Sequence, residues 1–430
     1  MSSYPGPRMR PAPQPRRGDG PWGPRDDRYG GDQYRVRRPP RRDVDRIDWD
    51  EPDRRPAPPR LRHPLWAKLS VGLGALVMVV SGLSVIVPKL AISYFTKEID
   101  RVDVIPEGLK GTDISGAINF LLIGIDQRNS GPNGNDLLRA DSIIVVHIPA
   151  DHSRVFLISL PRDARVKIPP VPEQNFPGET TKINAAFAYG ARLPNGQRDI
   201  SATGRGNGAV LTMRTISDLV PGGLKFNGFG IIDFDGFTSV VNALGGVHMC
   251  IDTETWSIKY TQEGHWLGYD MDDHVAGPPG RRGWHYEVGC RHMEPWEALD
   301  YARQRHLLPD GDYDRQRHQQ QLIKAIVKQV ASTDNLTNFK KISELQQAAG
   351  ELLTLDLGGN SMEDWVFTLS SLRPDDMVMI KTNGGRFSPV GDDTSDERLL
   401  PESLELLKSL QTDTVLDFLV AHQDWVAADA

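Results

Sequence analysis

Cysteine is scarce in this chain: its 430 residues contain two, Cys250 and Cys290. With 39% hydrophobic residues and so few crosslinks available, it reads as a chain that buries a full core, not as a small stapled scaffold. Several motifs are missing as well. There is no G-x-x-x-x-G-K-S/T, no G-x-G-x-x-G after a strand, no G-x-S-x-G elbow and no H-E-x-x-H. Nucleotide hydrolysis on a P-loop, dinucleotide binding, elbow-type serine hydrolysis and zincin chemistry recede accordingly. His and Cys do not cluster at zinc-binding spacing, since "CRHM" offers only one of each. No internal repeat is present.

Long apolar runs are limited to one. Trp66 to Val87 reads "WAKLSVGLGALVMVVSGLSVIV", with Lys68 its single charge. About 20 residues rising about 1.5 Å each span about 30 Å, the thickness of a bilayer core. The run starts too far along the chain for a secretory signal peptide, so residues 66–88 are expected to form an uncleaved transmembrane helix. Residues 1–65 are rich in Pro, Gly and Arg without helical or strand spacing, and are expected to stay disordered. Residues 1–68 hold about 17 Lys and Arg against about 10 Asp and Glu, roughly +7, so the rest must carry about −14 to leave the formal net charge of −7. The positive-inside tendency then places the tail in the cytoplasm and the remainder outside a single-pass plasma-membrane anchor. The tail has no helix-turn-helix pattern, and no nucleic-acid partner is expected. A connector, 89–112, leads to a folded domain at 113–427. Both cysteines fall on the oxidising side, where they either pair or remain two buried thiols.

Three short apolar runs open the domain: "INFLLIGID" ending in Asp126, "SIIVVHI" at 142–148 and "RVFLISL" at 154–160. Each suits a strand buried on both faces. Helical patterns follow from Lys182 in "KINAAFAYG", from Gly208 in "GAVLTMRTISDLV", in "EPWEALDYARQR", and from Asp314 to Val330; "MVMIK" at 377–381 returns to strand. Mixed strands and helices with buried central strands predict a layered α/β fold.

Polar residues then appear where the pattern asks for apolar ones. Leu322, Ile323, Ile326, Val327 and Val330 form one helical stripe, and stepping back along it by threes and fours reaches Gln319 and Arg315. Arg303 and Arg305 lie upstream, Arg139 precedes a strand, Arg162 follows one in "SLPRDARV", and Lys182 begins a predicted helix. Carboxylates gather at strand ends too: Asp126, Asp141 and Asp163. Arginine forks suit phosphate oxygens, and carboxylates beside them call for an oxygen-liganded divalent cation such as Mg²⁺. A structural ion pair is the bland alternative for any one of these arginines. Between the cysteines, Trp256, Tyr260, Trp266, Tyr269, Trp284 and Tyr286 serve either packing or sugar stacking.

The stretches "NFLLIGID", "LRADSIIVV", "SLPRDARVKIP", "TKINAAFAYG", "ALDYARQRH" and "DYDRQRHQQQ", in this order behind one anchor helix, resemble the LytR-CpsA-Psr family over about residues 113–427. The resemblance implies a three-layer α-β-α sandwich with a mixed central sheet and an apolar tunnel for a polyprenyl tail. It implies transfer of a glycopolymer from a polyprenyl-pyrophosphate carrier to a peptidoglycan hydroxyl, dependent on Mg²⁺ or another divalent cation. A carrier-lipid or wall-glycan receptor without turnover, or an envelope-stress regulator, is the rival reading. By this likeness Asp126 and Asp141 are metal carboxylates. Arg139, Arg162, Arg303, Arg305 and Arg315, with Lys182 and Gln319, grip the pyrophosphate, and Arg162, Arg303, Arg305 and Arg315 also stabilise the transition state. Asp163 is either a base or the residue that orients Arg162. Cys250 and Cys290 resemble the paired cysteines of actinobacterial members. His318 departs from the pattern, standing where many members have another Arg.

Overall fold

A computed structural model describes residues 100–125, 138–266, 283–332, 350 and 353–427, apart from the side chains of 234, 235, 393 and 394. The tail, the 66–88 segment and Asp126 lie outside the described residues. Among those described, no helix is long and apolar enough to cross a membrane. The chain begins with β1 (Asp100–Arg101), β2 (Ile118–Ile125), β3 (Ala140–Ile148) and β4 (Val155–Ser159), then the hairpin β5 (Arg165–Ile168) and β6 (Glu179–Lys182). Next come α1 (Asn184–Gly190), α2 (Ala202–Ser217), β7 (Gly228–Asp233) and α3 (Phe234–Ala243). Two ribbons follow, built from β8 (Val247–Ile251), β9 (Thr255–Thr261), β10 (Gly283–Tyr286) and β11 (Gly289–Met293). The rest is α4 (Pro295–Tyr301), α5 (Asp312–Val330), β12 (Leu353–Asp356), α6 (Met362–Leu369), β13 (Met377–Lys381), β14 (Pro389–Val390), β15 (Asp393–Glu397), α7 (Pro401–Thr412) and α8 (Val415–Ala421).

Seven strands form one sheet in the order β1-β12-β7-β2-β3-β4-β13. The sheet is mixed: β1/β12, β7/β2 and β4/β13 run parallel, and the other neighbours antiparallel. Side chains of successive residues leave opposite faces of a strand, and both faces are covered here. Leu121, Ile123, Val145, Phe156 and Ile158 join a core with α1, α2, α7 and α8. Ile144, Leu157, Met377 and Met379 belong to another core that includes Trp365 of α6.

Three elements depart from the sequence expectation. Lys182 ends strand β6, and the helix begins only at Asn184. Helix α2 begins at Ala202, ahead of Gly208, because Ser201 caps it by accepting from the Gly204 amide at 3.1 Å. A Cβ at Gly208 would stand 2.8 Å from the Phe187 carbonyl oxygen, so this glycine permits the close crossing of α1 and α2. Helix α4 stops at Tyr301, which leaves Arg303 and Arg305 beyond its end.

Candidate anion site and apolar cavity

Strand register assembles the first half of the site. In the antiparallel pair β3/β4, Ile144 faces Ser159. Carried three residues further, that register brings Asp141 opposite Arg162, and Arg162 Nη1 donates to Asp141 Oδ1 at 2.8 Å. Helix α5 supplies the second half from its first turn. Gly311 precedes it with φ 52°, and Asp312 and Asp314 sit where the helix dipole favours acids. Asp312 Oδ1 lies 2.8 Å from Arg315 Nη2 and 3.6 Å from Arg162 Nε. Arg315 Nη2 also donates to the Asp141 carbonyl oxygen at 3.2 Å.

Around this centre, Arg162 Nε stands 3.6 Å from Asp163 Oδ2, and Lys182 Nζ donates to Asp163 Oδ1 at 2.9 Å. Lys182 also lies 3.8 Å from Asp396 of β15. Burial disfavours the charge on Arg162, yet Asp312, Asp141 and Asp163 outweigh it and hold its pKa above the ordinary value. Arg315 is more deeply buried. Desolvation there, helped by the like charges of Arg162 and Arg305, prevails over Asp312 and Asp141 and lowers its pKa, though a guanidinium stays protonated. Among the described residues, the Nε atoms of Arg162 and Arg315 are both buried without a hydrogen-bond acceptor, and Gln319 Oε1 is buried without a donor. Two guanidinium groups with unused N–H capacity are suited to an oxyanion.

Beside this group lies a cavity of about 430 Å³ between the sheet and helices α3 and α5. Leu122, Ile144, Ile232 and Leu353 line it from the sheet, and Phe237 and Val240 from α3. The whole predicted stripe of α5, Leu322, Ile323, Ile326, Val327 and Val330, faces into it. The stripe therefore walls an open apolar space as well as contributing to the core. Polar groups on the wall are few. Asp233 is occupied as the cap of α3, accepting from the Gly236 amide at 2.8 Å, whereas Arg303 and Gln319 also line the space. Gln319 lies one helical turn after Arg315, so the cavity and the anion group share one face of α5.

The remaining predicted residues are less concentrated. Arg139 is exposed and makes no ion pair with the group among the described residues. Arg305 is exposed and donates from Nε to His306 Nε2 at 3.0 Å, acting on Arg315 only through its field. Asp312 did not stand out in the sequence, where an acid in a helix's first turn reads as dipole compensation; its i,i+3 spacing from Arg315 was the available signal. His318 points elsewhere. It is fully buried, with Nε2 3.0 Å from the Tyr301 hydroxyl and 3.2 Å from Asp252 Oδ1. Cys250 and Cys290 face each other across β8/β11 with sulfurs 1.93 Å apart. Of the aromatic residues between them, Trp256 stacks on His285 at 4.6 Å and Trp284 meets Trp296 edge-on, while Trp266 is 70% exposed.

The sequence model of the LytR_cpsA_psr family matches residues 94–396. The chain belongs to this family. Within and around it, the chain is 26% identical over 352 residues to the cell wall biosynthesis protein LcpA of Corynebacterium glutamicum, covering 72% of this chain and 59% of that protein. It is 27% identical over 227 residues to the polyisoprenyl-teichoic acid–peptidoglycan teichoic acid transferase TagV of Bacillus subtilis, covering 53% and 47%. The chain thus spans about half to three fifths of the length of these curated relatives. Among solved structures, protein gbs0355 of Streptococcus agalactiae shares the fold, with a TM-score of 0.51 and 20% identity over 70% of this chain and 88% of that one.

Proposed function

We propose that this family member transfers a glycopolymer from a polyprenyl-pyrophosphate carrier to a hydroxyl of peptidoglycan, forming a phosphodiester and releasing polyprenyl phosphate. One observation carries the proposal: an apolar cavity of about 430 Å³ bears Arg303 and Gln319 on its wall and lies one turn of α5 from Arg315. A greasy tail and a strongly anionic head are thereby offered adjoining surroundings. The names of LcpA and TagV, a cell wall biosynthesis protein and a teichoic acid transferase, point the same way.

In the proposed reaction the acceptor oxygen attacks the phosphorus nearer the glycan, and the bond from that phosphorus to the polyprenyl phosphate oxygen breaks. The acceptor's proton passes to a base, and the leaving phosphate departs with the electron pair. Arg162 and Arg315 hold the equatorial and leaving oxygens, so that catalysis rests on position and electrostatics. Arg303 and Gln319 set the depth of the tail, and Lys182, Arg139 and Arg305 add positive field. Asp163, paired with Lys182 at 2.9 Å and facing Arg162 at 3.6 Å, fits the role of orienting Arg162 better than that of a base.

A divalent cation, Mg²⁺ by preference, suits Asp141. That carboxylate offers only oxygen, and its Oδ2 accepts no hydrogen bond among the described residues. Asp126 would complete the pair from outside those residues. Such an ion, when bound, neutralises pyrophosphate charge that the nearby carboxylates would otherwise repel. The proposal includes a single anchor helix at 66–88, a cytoplasmic tail, an extracytoplasmic α-β-α domain and a closed Cys250–Cys290 disulfide. Full-length chain in detergent, given lipid-linked glycan, peptidoglycan and Mg²⁺, is expected to yield the phosphodiester and polyprenyl phosphate. Tight donor binding without product would replace the transferase with a carrier-lipid receptor.

A further inference from the structure

The ribbon that carries the cysteines has a second cross-strand pair. β8 and β11 run antiparallel with Cys250 opposite Cys290 and His248 opposite His292. Residues two apart on a strand leave the same face, so both histidines stand beside the cysteine pair on one side of the ribbon. Their ring centroids are 5.1 Å apart at 64°. Both side chains are exposed, and neither imidazole has a hydrogen-bond partner among the described residues. Elsewhere in the chain, His285 is bonded to Glu254 at 2.9 Å and His318 faces Asp252 at 3.2 Å.

We propose that His248 and His292 form a two-imidazole site for a first-row divalent ion of the zinc and copper class. A metal–nitrogen bond is about 2.0–2.1 Å, so two rings whose centres lie about 5 Å apart can reach one ion between them. Imidazole selects such ions over Mg²⁺, which prefers oxygen. This site therefore differs in metal class from the carboxylates beside Arg162. Local construction favours it. The neighbouring Cys250–Cys290 pair fixes the strand register that sets the rings against each other. Gly246, at φ 91°, leaves the His292 ring its place, since a Cβ there would stand 2.4 Å from His292 Nε2. On its other side His248 borders a cavity of about 250 Å³ that His292 does not line and that carries Lys324, Lys328 and Asp375, so water completing the shell comes from the exposed face of the ribbon. No group of three His, Cys, Asp or Glu residues with metal-binding geometry occurs among the described residues, so the protein offers two ligands here and the remaining positions fall to water.

The test is calorimetric titration of Zn²⁺ into untagged, chelator-stripped full-length chain, with Mg²⁺ present throughout. One ion per chain is expected. His248→Gln and His292→Gln should each lose affinity by more than the roughly 10- to 100-fold typical of outer-shell changes. Thermal melts without zinc should coincide for all three proteins, and zinc should raise the midpoint only in the wild type. Absence of binding by the wild type overturns the assignment. So does binding by either variant as tight as the wild type, which would place the ion on other histidines.

Discussion

Arg162, Arg315 and Lys182 share their surroundings with three carboxylates, Asp141, Asp163 and Asp312, so the anion group is close to electrically balanced before any ligand arrives. An incoming pyrophosphate must then compete with carboxylates for the same guanidinium N–H groups. Asp312→Asn removes one competitor while keeping its size, and donor affinity should rise by about tenfold, roughly 1.4 kcal/mol, in a binding titration without divalent ion. Unchanged or weaker binding would mean that Asp312 is needed to hold the arginines in place. Arg315→Ala should lower transfer by about 10²–10³-fold, with circular dichroism unchanged, as expected for loss of a preorganised oxyanion donor. Arg315→Lys should recover only part of this, because an ammonium keeps the charge and loses the planar fork. Arg315 and Gln319 were legible in the sequence because both interrupt an apolar stripe. Asp312 was not, since its i,i+3 spacing from Arg315 reads as an ordinary helix pair and its other partner, Arg162, lies 150 residues earlier and meets it only when α5 packs beside the end of β4.

At the scale of elements, α5 is fixed by what its other side holds. Arg317 Nε donates to Asp252 Oδ2 at 2.6 Å, Gln321 Nε2 to the same oxygen at 2.8 Å, and His318 Nε2 lies 3.2 Å from Oδ1. Asp252 follows β8 directly, so one carboxylate ties the helix to the ribbon. Burial opposes its charge, but His318 and Arg317 overcome that and hold its pKa well below the ordinary 3.8. A folded-state carboxylate that binds protons less readily than the unfolded one contributes stability above the unfolded pKa and loses it as pH falls. Acid destabilisation should therefore begin as pH drops through about 4. Asp252→Asn should cost about 3 kcal/mol at neutral pH, by denaturant melts, and should flatten that acid limb. An unchanged acid limb would remove Asp252 from the account. The strands β2, β3, β4 and β13 were readable as short apolar runs, whereas β7 was not. Its sequence "GFGIID" is interrupted by Gly228 and Gly230, which a local pattern scores against a strand. A Cβ at Gly228 would meet the Asp356 carbonyl oxygen at 2.6 Å, so a neighbouring strand known only from the fold explains the glycine.

Over the whole molecule, two features act across long stretches of chain. The proposed Cys250–Cys290 bridge would close a loop of 40 residues, and in the chain-entropy model such a closure stabilises by about 4 kcal/mol. Reductant, or Cys250→Ser with Cys290→Ser, should lower the unfolding midpoint by a corresponding amount; equal melts would show that the bridge leaves the unfolded ensemble unconstrained. The other feature is the charge division, about +7 in residues 1–68 against about −14 in the rest. Basic residues flanking an apolar span are retained on the cytoplasmic side, while acidic residues contribute little to orientation. That asymmetry predicts that protease added outside intact, wall-stripped cells digests the chain beyond about residue 90 and leaves residues 1–65 in a protected fragment. Epitopes placed at each end and read by blotting report which side is cut. Digestion of the tail with protection of the body would reverse the orientation, and the anion site would then face a compartment without peptidoglycan.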